Sequence, residues 1–145
     1  MKVVLQRVAY AKCTVDGVVT GECKKGYMLL VGYTHTDTTE TNKKMAKKIA
    51  NLRIFEDENG KMNLNIFQVG GSILSISQFT LYANTNEGNR PSFVEAMKPD
   101  LAKELYEDFN DELRSLGLSV SCGVFGAHME IELLNDGPVT ITLEF

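Results

Sequence analysis

The chain has 145 residues, enough for one domain with a buried core. Apolar residues make up 43% and charged residues 23%, an ordinary globular balance, and no apolar run is long enough to span a bilayer. The net charge of −4 argues against a protein that coats nucleic acid without specificity, while leaving room for one local basic face.

Cys13, Cys23 and Cys122 are odd in number and form no Cys-x-x-Cys pair. Neither a disulfide framework nor a zinc site is expected, and a reducing, cytoplasmic setting fits. Two histidines, His35 and His128, leave little material for a histidine metal centre, and no metal or other cofactor is expected. Residues 1–12 lack a long apolar core followed by a small-residue cleavage site, so no signal peptide is expected.

In chain order, residues 2–10 read as a strand, and Asp16-Gly17 between two β-prone stretches predicts a hairpin. Residues 27–33, YMLLVGY, suit a buried strand. Asp37 and Glu40 have capping-box spacing ahead of a helix through about Leu52, with Met45, Ile49 and Leu52 on its inner face. Lys43, Lys44, Lys47 and Lys48 on that helix form either a solvated face or a phosphate-backbone contact. Residues 61–82 give further strand, with Asn59-Gly60 and Gly70-Gly71 as turn signals. A second helix is predicted from Pro99 to Gly117, with Leu101, Leu105, Phe109, Leu113 and Leu116 as its apolar stripe. Met129, Ile131 and Leu133, then Val139, Ile141 and Leu143, alternate as strands around Asn135-Asp136-Gly137-Pro138, which has the composition of a turn. Two helices among hairpin-linked strands predict an α+β fold.

Four features bear on chemistry. The strand at 71–83 ends in Ser77-Gln78-Phe79-Thr80, and strand alternation puts Gln78 and Thr80 on one face with Ser77 and Phe79 on the other. The connection 83–98 runs about sixteen residues without clear periodicity, a length often associated with function. Within it, Arg90 before Pro91 could meet a phosphate or pin the loop. Arg7 shares strand parity with Val3, Leu5 and Ala9; it either snorkels at a strand end or points inward and needs several acceptors. Neither histidine lies near a nucleophile in sequence, and the GxGxxG and P-loop patterns are absent.

Ser77-Gln78-Phe79-Thr80-Leu81 and Asn135-Asp136-Gly137-Pro138-Val139-Thr140 together resemble the two signature motifs of the D-aminoacyl-tRNA deacylases. QRV at 6–8, NLRIFEDENGKMNLN at 51–65, NRPSF at 89–93 and FGA at 125–127 extend the resemblance over the whole chain as one domain, 1–145. The resemblance implies a barrel-like mixed or antiparallel sheet with two main helices. It implies a homodimeric hydrolase that cleaves D-aminoacyl-tRNA and glycyl-tRNA at the 3′ end while sparing L-aminoacyl-tRNA. It further implies a cis Gly137–Pro138 peptide inserted into the partner's active site, where an L side chain would strike it, a filter working by clash. Ser77, Gln78, Phe79 and Thr80 would then form the catalytic segment. Backbone N–H groups of Phe79 and Thr80 would stabilise the oxyanion, and the ribose 2′-OH would assist. Arg7 would brace the Gly-Pro segment, and Phe125 and Met129 would line the pocket for the terminal adenine. Glu87, Val124 and His128 depart from the family pattern, the first two by lacking an expected basic residue. Three rivals remain: a related deacylase with the Gly-Pro peptide trans, a nucleic-acid-binding module without catalysis, and an esterase of free small molecules.

Overall fold

The computed structural model describes residues 1–145, and the strand β1 (Lys2–Val15) organises it. Along one edge of β1 run β2 (Val18–Cys23) and β3 (Gly26–Gly32), both antiparallel to it, with Ala11 opposite Cys23, Val8 opposite Gly26, and one shift of the β1–β2 register between Cys13 and Thr14. Asp16 and Gly17, at φ of 48° and 79°, close the β1–β2 hairpin as predicted. Along the other edge lies β8 (Glu130–Glu144), antiparallel to β1 from Thr14 to Lys2. Beyond β3 the sheet continues in parallel through β6 (Ser72–Ser77) and β7 (Val120–Cys122). The sheet then rolls back on itself: a Cβ on Gly21 of β2 would stand 2.4 Å from the Cys122 carbonyl oxygen of β7. The result is a nearly closed, barrel-like mixed sheet. A separate ribbon, β4 (Phe55–Glu56) with β5 (Met62–Leu64), and two helices, α1 (Thr39–Asn51) and α2 (Pro99–Ser115), complete the α+β domain. No helix is long and apolar enough to cross a membrane.

The helices pack on one face of the sheet, and this explains the near-continuous apolar runs of β3 and β6, which are covered on both sides. Tyr27, Leu29, Val31 and Ile73 join Met45, Ile49, Phe109 and Leu113 of the helices. Met28, Leu74 and Ile76 face the other way, with Val8, Cys13 and Cys23. Burial pushes the Cys23 thiol up to about 11, which keeps it protonated and unreactive.

Two helix expectations need correction. The α1 cap is Thr38, whose N–H donates to the Thr41 hydroxyl at 3.2 Å, not Asp37. Asp37 instead accepts from the Thr34 N–H at 2.7 Å and from the Met1 ammonium at 2.5 Å. On α2, Leu101 and Leu116 stand exposed, and the buried stripe is Ala102, Tyr106, Phe109, Asn110 and Leu113. The helix is rolled so that the Tyr106 hydroxyl donates to the Ser75 carbonyl of β6 at 2.7 Å. Buried Asn42 of α1 ties the helices together, donating to the Leu105 carbonyl and the Asp108 carboxylate at 2.8 Å each.

The shifted stripe generates a contrast measurable by urea unfolding. Phe109→Ala, at a fully buried site, lowers the unfolding free energy by about 3–5 kcal/mol. Leu101→Ala changes it by about 0.5 kcal/mol or less; comparable losses for the two would restore the original stripe.

Candidate active site

The strand that ends in the first signature segment stops earlier than its sequence indicates. β6 ends at Ser77, and Phe79–Tyr82 forms a 3-10 turn, so residues 77–80 do not share two strand faces. Gln78 is the residue before the turn and provides no side-chain cap. The first N–H groups of such a turn, those of Phe79 and Thr80, have no acceptor within it. The Gln78 amide side chain donates to the Thr80 hydroxyl oxygen instead. Thr80 is exposed, and no hydrogen bond hands its proton to a base. Beside it the Phe79 ring, 57% exposed, meets Phe93 edge-on with centroids 5.0 Å apart.

Phe93 belongs to the long connection predicted at 83–98. Reciprocal main-chain bonds between Asn84 and Ser92, at 2.8 and 2.9 Å, close that connection into a loop. Arg90 at its tip is exposed and makes neither a hydrogen bond nor an ion pair, so it does not pin the loop.

The second signature segment is not a hairpin turn. Both of its flanks pair with β1, so β8 runs straight through it, and the 135–140 segment is a bulge. Gln6 opposes Thr140 and Val8 opposes Asn135, which leaves the intervening β8 residues to arch out opposite Arg7. Three contacts hold the arch. Asn135 spans its base, its Oδ1 accepting from the Val139 N–H at 2.8 Å and its Nδ2 donating to the Thr140 hydroxyl at 2.9 Å. Val139 is buried against the core. Arg7, 6% exposed, donates from Nε to the Asp136 carbonyl at 2.8 Å and from Nη1 to the Ile54 carbonyl at 2.6 Å. These acceptors settle the Arg7 alternative: the side chain points inward.

At the crest, Gly137 and Pro138 are exposed and joined by a cis peptide. Gly137 sits at φ +143°, and a Cβ there would lie 2.8 Å from a Val139 methyl and 3.0 Å from Arg7 Nη2. Only glycine fits that backbone without displacing the brace.

Other predicted residues scatter. Phe125 packs against Tyr106, centroids 6.0 Å apart, at a cleft of about 440 Å³ between α2 and β7 that also exposes Arg114 and Cys122. Met129 lies across Gly123 and packs toward Cys13 and Ile76, outside that lining. The two are therefore not brought into one pocket within a single chain. His35 Nε2 donates to the Val94 carbonyl at 2.7 Å, and His128 is exposed; neither bonds a hydroxyl of Ser77 or Thr80. Asn135, Phe93 and Tyr106 were missed as supports. Asn135 had a signal, an amide four residues before a β-branched Val139, whereas the other two are set by tertiary packing.

The signature segments also lie apart. Ser77 pairs with Val31, which pairs with Val3, whereas the arch faces Arg7, which pairs with Tyr27. Four residues of strand separate the two levels, about 13 Å, and the segments are three strands apart across the sheet.

Such a molecule is a small α+β barrel that presents amide, hydroxyl and main-chain groups at two stations, without a nucleophile–base pair. Residues 4–144 match the family model for D-Tyr-tRNA(Tyr) deacylase. The chain is 57% identical over 144 residues to a D-aminoacyl-tRNA deacylase of Deinococcus radiodurans, covering 99% of each. It is also 57% identical over 144 residues to one from a Geobacillus species, covering 99% of this chain and 95% of that one. Among solved structures, one described as a c-Myc DNA unwinding element binding protein superposes with a TM-score of 0.93 at 40% identity, over 100% of this chain and 99% of the other. A probable eukaryotic D-amino acid tRNA deacylase, 17% identical, shares the fold with a TM-score of 0.83 over 98% and 97% of the two chains. The chain belongs to the D-Tyr-tRNA(Tyr) deacylase family.

Arg7 holds two main-chain carbonyls with a buried charge, so Arg7→Met leaves both without their charged donor. The variant loses about 2 kcal/mol of unfolding free energy in urea titration. Unchanged or raised stability would show that the brace is energetically idle.

Proposed function

We propose that this protein hydrolyses the ester joining a D-amino acid, or glycine, to the 3′ end of tRNA, and that it spares L-aminoacyl-tRNA. The activity is that of the family in its relatives' names. The observation that carries the finer reading is the separation of the two signature segments, both of them exposed and each an incomplete site. Two copies of the chain resolve this: Gly137–Pro138 of one enters beside residues 77–80 of the other. The exposed Phe79 and Phe93 rings and the 76% exposed Val94 give such a partner apolar surface to cover. The free edge of β8 offers it main-chain groups to pair.

In this reading the substrate's α-ammonium group lies against main-chain carbonyls of the Gly137–Pro138 arch. With that group and the ester carbon both fixed, a D side chain points out to solvent, whereas an L side chain runs into the arch. Glycine has no side chain to reject. The filter is a wall, so it discriminates by repulsion and tolerates many D side chains. Water attacks the ester carbon, the N–H groups of Phe79 and Thr80 receive the developing oxyanion, and the 3′ oxygen leaves as the ribose hydroxyl. The neighbouring 2′-OH positions the water. Thr80 is not the nucleophile, because its hydroxyl accepts from Gln78 and has no base to take its proton. Arg7 acts by positioning the arch. The setting is the cytoplasm, where charged tRNA is found.

A second reading, nucleic-acid binding without catalysis, is favoured only by the 40% identical neighbour, described as a DNA unwinding element binding protein. Hydrolysis separates the two. D-aminoacyl-tRNA ending in normal adenosine is deacylated, and the same substrate ending in 2′-deoxyadenosine is not. Thr80→Ala keeps kcat within about tenfold of the parent, the loss expected of a support rather than a nucleophile. Normal cleavage of the deoxy substrate, together with collapse of kcat in Thr80→Ala, would return the chemistry to the threonine. No cleavage of either ester would sink the reading as a whole.

A further inference from the structure

Lys44, Lys47 and Lys48 of α1, with Arg53 just beyond its end, line an open cleft of about 610 Å³ whose apolar residues are Leu52 and Phe145. No side-chain carboxylate lines it; its one anionic group is the terminal carboxylate of Phe145. None of the four cations has a carboxylate within 4.0 Å, because the ion pairs of the chain lie elsewhere. The adjacent Lys43 is on another face, neutralised by Glu40 at 3.1 Å. Four cations against one terminal carboxylate is an unexpected excess in a chain of net charge −4.

Helix stability does not account for it. Lysines at i, i+3 and i+4 repel one another on one helix face. Only Lys48, in the last turn, gains from the helix dipole. Arg53 is held in place: its Nε donates to the Asn63 carbonyl at 2.9 Å and its Nη2 donates to the Asn63 side chain. Phe145 presents a half-exposed ring on a fixed main chain, its N–H donating to the Met1 carbonyl at 3.1 Å.

The cleft also has a definite position relative to the active segment. Lys2 pairs with Glu144 on one side and Gly32 on the other, and the Gln78 N–H donates to the Val31 carbonyl at 2.7 Å. Phe145 therefore stands at the same end of the sheet as residues 77–80, three strands or about 14 Å across.

We propose that this cleft is an RNA-docking surface for the 3′-terminal strand of the tRNA acceptor arm. The four cations hold successive phosphates, and the Phe145 ring stacks on a base, the combination that single-stranded nucleic acid requires. The inference rests on the reading that the substrate is a tRNA. It adds where the RNA lies: across α1 and Phe145, with its aminoacyl end over residues 77–80. In an acidic protein a net basic cleft also orients the approach, since the remaining surface carries net negative charge.

The test is anisotropy titration of the full chain with uncharged tRNA over a range of salt concentrations, so turnover does not enter. Lys44→Ala/Lys47→Ala/Lys48→Ala binds on the order of 10- to 100-fold more weakly near 0.1 M salt, and its salt slope falls by about two. The three-lysine-to-arginine variant keeps the parent slope. A charge-matched control elsewhere on the surface, Lys12→Ala/Lys24→Ala/Lys103→Ala, stays close to the parent. Phe145→Ala weakens binding about tenfold at every salt concentration and leaves the slope unchanged. Unchanged affinity and slope in the first variant, an equal loss in the charge-matched control, or loss of duplex DNA binding with tRNA binding intact would each overturn the proposal. A protein that binds tRNA through this cleft yet leaves the D ester uncut would sink the hydrolytic reading and keep the cleft. Cleavage with unchanged tRNA binding would do the reverse.

Discussion

A guanidinium buried without a carboxylate partner is the constraint on which the Gly137–Pro138 arch depends. Arg7 sits mid-strand on β1, which pairs with β2 and β3 on one edge and β8 on the other, and its acceptors are main-chain carbonyls of residues 54 and 136. Such a charge is costly to bury unless its donors are used. By bonding Ile54, beyond α1, and Asp136, at the foot of the arch, it ties the helix layer, the sheet and the β8 bulge at one point. Burial also holds the nearby Tyr27 phenol above the usual tyrosine range, with the charge of Arg7 opposing that rise. Gly137 is part of the same arrangement, because any side chain there would meet Arg7 or Val139.

The rest of the proposed mechanism follows from where this rigid arch stands. It projects from a different level of the sheet than residues 77–80, so within one chain the two segments do not face each other. Pairing two chains would make selection a property of the assembly, with the wall and the oxyanion donors contributed by different copies. Main-chain groups and an RNA hydroxyl suit that division. Neither requires a perturbed side-chain pKa, and the segment at 77–80 contains no group that titrates between acid and neutral pH.

Much of this was legible in the residues because it is local. Asp16-Gly17 needs positive φ and marks its hairpin, the YMLLVGY run marks a strand covered on both faces, and helix periodicity located α1 and α2. The inward parity of Arg7 was visible as an anomaly. What escaped is tertiary. The composition of the 135–138 stretch reflects the local backbone that Gly137 and Pro138 adopt, and that is the same in a turn and in a bulge. Only pairing of both flanks with β1 distinguishes them. Strand alternation carried past Ser77 because nothing in the residues 78–82 announces a 3-10 turn. On α2 the spacing defines a stripe, yet its rotation is set by Tyr106 reaching the Ser75 carbonyl, which leaves Leu101 in solvent. Phe125 and Met129, four residues apart, pack against different apolar clusters for the same kind of reason.

The central claim is that the Gly137–Pro138 arch selects by handedness. The most direct measurement compares initial deacylation rates for one tRNA charged with the D and the L form of one amino acid. The account predicts cleavage of the D ester and persistence of the L ester under the same conditions. Equal cleavage of the two would contradict it, and the arch would then be a bulge in a strand and nothing more.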